Sequence, residues 1–136
     1  MKTSSYLPRV MILASVLAFC AAAHADVVVV MAPGSAPLTK DQVAAVYLGR
    51  STELKPVDLP PGAPGREAFY KKATDRDEAQ IKAAWSRIIF TGKGQPPKEL
   101  PDAAAVKKAV AADPKAVGYI DKSAVDGTVK VVLSLD

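Results

Sequence analysis

A segment rich in proline and glycine, LPPGAPGREAFY at residues 59–70, contains the residues that best fit a ligand-binding site. It leads directly into a predicted helix. The first turn of a helix carries unpaired N–H groups and the positive end of the helix dipole, so a glycine-rich approach lets an anion reach bare backbone. Gly62, Gly65 and the guanidinium of Arg66 are therefore candidate contacts for an oxyanion.

A purely mechanical interpretation of the same segment stays open. Pro64 suits the start of a helix, and glycine permits a tight turn. A cation at the N-terminal end of a helix is mildly unfavourable, so the position of Arg66 calls for a partner. An ordinary surface ion pair with Glu67 could be that partner. Ser35, on a loop after the first predicted strand, is a further candidate hydroxyl donor, although small polar residues are common turn formers.

The first 25 residues have the pattern of a secretory signal peptide. Lys2 and Arg9 supply a positive start, residues 10–23 are apolar, and AHA at residues 23–25 is a small-residue cleavage site. The apolar run is shorter than the roughly 20 residues of a membrane-spanning helix. We expect cleavage after Ala25, a single domain at residues 26–136 and a periplasmic location.

The composition of the expected mature chain excludes several kinds of site. Cys20 and His24, the only cysteine and histidine, lie in the signal segment. Disulfides, Cys or His nucleophiles and Cys/His metal sites are therefore not expected. No EF-hand, nucleophile elbow or nucleotide-phosphate loop is present. We expect no enzyme activity, no catalytic residue, no metal and no cofactor.

The charge of the mature chain gives no reason to expect nucleic-acid binding. The full chain of 136 residues has 18 Lys and Arg, of which two lie in the signal segment. The remaining 16 basic residues face 14 acidic ones, a net charge of +2. Because the two signs are interleaved, they are typical of an ordinary solvated surface.

Strand and helix signals alternate along residues 26–136. The run DVVVV at 26–30 is typical of a strand covered on both faces, and KPVDL at 55–59 and AVGYI at 116–120 are further strands. TVKVVL at 128–133 is predicted to pair with 116–120 through a turn at Asp126 and Gly127. This order predicts an α/β fold, a three-layer sandwich with a small mixed sheet.

Four helices are predicted between these strands. Thr39 and Gln42 form a capping box for the first, which Gly49 can terminate, and the second begins near Arg66. Thr74 or Asp75 is expected to cap the third, and Asp102 the fourth. The third has an apolar stripe in which Trp85 is expected to pack in the core; the stripe consists of Ile81, Ala84, Trp85, Ile88 and Ile89.

Four segments in order, PLTKDQVAAVYLGR, PPGAPGREAFY, WSRIIFTGKGQPP and DPKAVGYI, resemble the phosphate-type substrate-binding proteins of ABC transporters, in the type 2 periplasmic binding-protein superfamily. The resemblance covers residues 27–133. It implies one lobe of such a protein, because a two-lobed member is more than twice as long. It also implies that residues 62–66 form the anion loop, with Ala63 and Pro64 where the family has hydroxyl side chains.

The resemblance implies a periplasmic solute-binding-like protein that binds phosphate or a similar oxyanion weakly, through Gly62, Gly65 and Arg66. Ser35 stays the further candidate contact. Lys93 and Lys98 could add positive field. We expect the Arg66 side chain to point to solvent. The alternative is a non-catalytic interaction or sensor module that keeps the lobe fold without a ligand. A membrane transporter, a sensor protein or a second copy of the chain would then be the partner.

Overall fold

The computed structural model describes residues 26–135, so the expected signal peptide, with Cys20 and His24, lies outside the described residues. Five strands and four helices follow one another in this part of the chain. In order they are β1 (Val27–Met31), α1 (Lys40–Tyr47), β2 (Lys55–Asp58), α2 (Arg66–Thr74), α3 (Glu78–Phe90), β3 (Lys98–Glu99), α4 (Ala103–Ala112), β4 (Ala116–Asp121), a 3-10 turn (Lys122–Ala124) and β5 (Lys130–Ser134).

The strands form one mixed sheet in the order β3-β2-β4-β1-β5. Strand β2 is parallel to β3 and β4, whereas β1 is antiparallel to β4 and β5. All five residues of β1 are buried, as its valine run predicted. A strand in that position can satisfy its backbone groups only with a neighbour on each edge.

The predicted pairing of the last two strands is wrong, because β1 lies between β4 and β5. Both of them run antiparallel to β1, so they are parallel to each other and no tight hairpin can join them. A local turn does form at the predicted place, but it lies within the longer connection from β4 to β5. In it, the Asp126 side chain accepts a hydrogen bond from the Thr128 N–H at 2.9 Å.

Helices cover both faces of the sheet, which confirms the predicted α/β sandwich. Adjacent residues of a strand face opposite sides. On one side of β4, a Cβ at Gly118 would come within 2.6 Å of Val106 on α4. On the other side, the Tyr119 ring stacks on Phe69 of α2 with centroids 3.9 Å apart.

Three of the four helices are capped by a side chain at the N-terminal end. Thr39 forms the predicted capping box with Gln42, and Asp102 accepts from the Ala105 N–H. The predicted cap of α3 is wrong, because Asp77 caps it together with Gln80. Helix α2 runs on to Thr74, and Asp75 ends it in a left-handed conformation with φ of 57°.

Helix α3 packs by its first two turns. Ile81 and Trp85 are buried, and the indole N–H of Trp85 donates to the Tyr47 carbonyl at 2.9 Å. The predicted stripe is wrong at its C-terminal end, because Ile89 is 52% exposed and the adjacent Phe90 94%.

Within residues 26–135, no helix is long and apolar enough to span a membrane.

Candidate functional site

The loop from β2 to α2, together with the first residue of α2, contains three of the four residues expected to bind an anion. Gly62 and Gly65 have φ of 82° and 90°, in the left-handed region that glycine enters at little cost. Gly65 is the N-cap, so α2 begins at Arg66 and Pro64 precedes the helix instead of starting it.

The N-terminal end of α2 has no side-chain cap. The Arg66 N–H, in the first turn of α2, donates to the Ala63 carbonyl at 3.2 Å and is therefore not free. Within residues 26–135, the N–H groups of Gly65, Glu67 and Ala68 have no hydrogen-bond partner. They supply the unpaired donors that an anion needs.

These N–H groups belong to a shallow concavity of about 510 Å³. Its lining includes two carboxylates, Glu67 and Asp77, and one cation, Lys71. The local charge therefore does not favour an anion, and the helix dipole and free N–H groups are its attractive features.

The Arg66 side chain is turned away from this concavity, which corrects the expectation that it points to solvent. It is only 13% exposed, and its Nη1 lies 3.7 Å from Asp58 and 3.3 Å from Glu99. The same Nη1 donates to the Leu59 carbonyl, and Nε lies 3.3 Å from Glu78. Three carboxylates thus surround one guanidinium, and the surface pair with Glu67 is not among its ion pairs.

Asp58 is the buried centre of this cluster and is 3% exposed. It accepts hydrogen bonds from the hydroxyls of Tyr70 and Tyr119 and from the Leu59 N–H. Burial, and next the neighbouring Asp58 charge, raise the pKa of both tyrosine hydroxyls far above the usual value. Both tyrosines therefore stay neutral donors at ordinary pH.

Asp58 was not predicted as a member of the site. It lies in KPVDL, which was interpreted only as a strand. The available signal was a charged residue next to Val57 at the end of a short strand, directly before the candidate loop. A buried carboxylate there needs a cation or several donors, which predicts a partner such as Arg66.

Ser35 lies apart from the other three residues. A Cβ at Gly65 would lie 3.8 Å from Val27, the first residue of β1, whereas Ser35 follows the opposite end of that strand. A five-residue strand is about 13 Å in length. The Ser35 hydroxyl donates to the Ala32 carbonyl at 2.7 Å, as a turn residue does.

The two lysines expected to add positive field lie at another place. Lys93 and Lys98 line a separate concavity beside Gly94 and the edge of Trp85. Within residues 26–135, no group of three or more His, Cys, Asp or Glu side chains could hold a metal ion.

Comparison with solved structures identifies the fold. Over 79% of its length the chain is similar to an ABC-type phosphate transport receptor from Vibrio cholerae, with a TM-score of 0.62 and 19% identity, and covers 45% of that chain. A putative phosphate ABC transporter substrate-binding protein with bound phosphate from Clostridium perfringens gives a TM-score of 0.58 and 21% identity, with 79% of this chain and 44% of that one covered.

The chain therefore has the fold of part of a phosphate-type substrate-binding protein and spans under half the length of either structure. No protein-family model matches it, and no curated protein does. The predicted resemblance is confirmed at the level of the fold.

Proposed function

We propose that the protein is an exported, non-catalytic solute-binding module that binds phosphate or a similar oxyanion weakly at the N-terminal end of α2. The observation that carries this proposal is the uncapped end of that helix, with the N–H groups of Gly65, Glu67 and Ala68 unpaired within residues 26–135. The similar structures are a phosphate transport receptor and a substrate-binding protein with bound phosphate, which supports this choice of ligand.

The binding should be weak for four reasons. The site is open on one side, its donors are backbone N–H groups, and the nearby Arg66 guanidinium is already paired with carboxylates. Glu67 and Asp77 also repel an anion. We expect a dissociation constant in the millimolar range, which corresponds to a binding free energy of about −4 kcal/mol. The affinity should fall as added salt screens the charges.

An NMR titration of residues 26–136 with phosphate and with sulfate at low salt tests the proposal. The amide peaks of Gly65, Glu67 and Ala68 should move most, and Lys71→Gln should reduce their response. Lys108→Gln is the control, because Lys108 lies on α4 across the sheet. Absence of any shift in this loop at tens of millimolar anion would refute the proposal.

Two substitutions at one position separate the anion site from the fold. Both Asn and Asp tolerate a left-handed backbone better than most residues, and a Cβ at Gly65 has only an ordinary contact at 3.8 Å. Gly65→Asn should keep part of the response, whereas Gly65→Asp places a negative charge at the helix end and should abolish it. Equal responses from the two variants would count against an electrostatic site.

A second candidate is a non-catalytic interaction or sensor module that keeps the lobe fold without a small ligand. Two observations favour it: Arg66 is neutralised by Asp58, Glu78 and Glu99, and Ile89 and Phe90 are exposed. A transporter, a sensor protein or a second copy is the expected partner. Absence of any anion response, with a partner bound through the α3 side, would favour this candidate over the first.

Export to the periplasm is part of both candidates and rests on the pattern of residues 1–25. Mass spectrometry of the protein purified from its native source should give an N-terminus at Asp26. An intact Met1 or a lipidated Cys20 would overturn the proposed cleavage.

A further inference from the structure

We propose that a groove between α3 and the edge of the sheet at β3 binds an extended segment of a partner protein that presents a lysine or arginine beside apolar side chains. This surface, called here the α3 groove, has a volume of about 540 Å³ and shares no lining residue with the concavity at the N-terminal end of α2. The inference rests on the interaction-module candidate and names the chemistry of its partner. It does not depend on oxyanion binding.

One end of the α3 groove is acidic. Asp58, Glu78 and Glu99 line it together with Arg66. The guanidinium of Arg66 is within ion-pair distance of all three carboxylates. The four groups together therefore have an excess of two negative charges. Lys82, on the rim, makes no ion pair within residues 26–135.

The two outer carboxylates are able to accept a second cation. The side chains of Glu78 and Glu99 are 36% and 52% exposed, and each meets Arg66 through one oxygen, Oε1. The buried Nε of Arg66 and Oε1 of Glu78 are 3.3 Å apart but poorly aligned, so neither has a hydrogen bond within residues 26–135. A cationic side chain between the two glutamates would donate hydrogen bonds to their carboxylate oxygens, which have few donors of their own.

The other end of the α3 groove is apolar. Trp85 and Ile81 lie along the groove, and Ile89, Pro96 and Pro97 continue it towards the C-terminal end of α3. Ile89 is 52% exposed. Exposed apolar area next to a concavity is typical of interaction sites.

The length of the groove and the position of β3 favour an extended segment. From Glu78 to Ile89 helix α3 rises about 16 Å, which matches about five extended residues. Strand β3 is at the edge of the sheet and pairs only with β2 within residues 26–135, so the outer backbone groups beside Glu99 can pair with an added strand.

Pools of acetylated five-residue peptide amides provide the test. One pool has a fixed central lysine, one a fixed central arginine and one a fixed central glutamate, with mixed apolar residues at the other positions. Trp85 is the only tryptophan of the chain and lies in the groove, so its fluorescence reports binding. The lysine and arginine pools should bind at least threefold more tightly than the glutamate pool, with NMR shifts along α3.

Variants locate the binding. Glu99→Gln and Ile89→Ser should each weaken binding of the basic pools at least threefold, whereas Lys82→Gln should leave it unchanged or strengthen it. Glu53→Gln is a matched control on an exposed carboxylate that does not line the groove. Phosphate at the same concentration should leave the α3 groove unaffected whether or not it shifts Gly65, which separates this test from that of oxyanion binding.

Three results would overturn the proposal. In the first, the basic pools bind no better than the glutamate pool. In the second, spermidine alone displaces the basic pools at equal concentration, which would make the occupant a small amine. In the third, the protein forms a dimer that Ile89→Ser dissociates, which would make the occupant a second copy of the chain.

Discussion

Removing the Arg66 side chain should destabilise the protein, because this side chain contacts carboxylates instead of pointing to solvent as the sequence predicted. Asp58 is 3% exposed, and Arg66 is the only cation within ion-pair distance of it in residues 26–135. Taking one partner from a buried ion pair costs about 3–5 kcal/mol, because a buried charge is left uncompensated.

The hydrogen bonds that remain place the loss at the lower end of that range. Asp58 keeps the hydroxyls of Tyr70 and Tyr119 and the Leu59 N–H. The pairs of Arg66 with Glu78 and Glu99 are partly exposed and contribute about 0–1 kcal/mol each. We therefore expect Arg66→Ala to lower the free energy of unfolding by about 3 kcal/mol, a large share of the 5–15 kcal/mol typical of a domain.

Urea denaturation of residues 26–136, followed by Trp85 fluorescence, measures this change. Arg50→Ala is the matched control, since Arg50 is exposed and makes no ion pair within residues 26–135, and should change stability by under about 0.5 kcal/mol. The double variant with Asp58→Asn should recover about 1 kcal/mol or more, because the unpaired charge is removed. A loss below about 1 kcal/mol for Arg66→Ala would mean that the guanidinium is solvated and free.

Three further predictions concern the core. Trp85→Ala should cost about 3–5 kcal/mol in urea denaturation, because the buried indole and its hydrogen bond to Tyr47 are lost; a loss below about 1 kcal/mol would contradict this packing. Gly118→Ala should cost about 1–3 kcal/mol, since its Cβ would come within 2.6 Å of Val106, whereas Gly127→Ala, with no atom within 4 Å, should be nearly neutral. Burial raises the pKa of Tyr47, Tyr70 and Tyr119 in the folded state above the value in the unfolded chain. Their contribution to stability is therefore complete below about pH 10, the pKa of a tyrosine in the unfolded chain. Above that pH the free energy of unfolding should fall by about 1.4 kcal/mol per pH unit for each tyrosine. Tyrosinate absorbance that rises without unfolding would refute this last prediction.

Much of the local structure could be predicted from the sequence, because it depends on residues close together in the chain. The capping box of Thr39 and Gln42 and the cap at Asp102 are interactions across three residues. The valine run of β1 indicated burial on both faces, and Trp85 was expected in the core by its spacing in α3. The boundary between α2 and α3 was predicted wrongly. Helix α2 ends at Thr74 with Asp75 as its C-cap, so the N-cap of α3 is Asp77.

The strand order could not be read from neighbouring residues. A turn signal at Gly127 indicates that the chain reverses locally, but it does not say which strand occupies the space beside β4. The parallel β3-β2-β4 part left the other edge of β4 open, and β1 fills it because its residues are apolar on both faces. Burial of β1 is a property of the whole sheet, so tertiary structure decided the order.

The candidate site divides in the same way. The sequence by itself determined an uncapped helix end, since Ala63, Pro64 and Gly65 have no side chain that accepts a hydrogen bond. It placed Pro64 in the first turn, whereas Gly65 is the N-cap in the structure. The direction of Arg66 was decided only when β2, α3 and β3 brought Asp58, Glu78 and Glu99 to one place. These carboxylates are up to 41 positions apart in the chain, and a charge turns towards the partners that folding places within about 4 Å, where attraction in a poorly solvated environment is strongest.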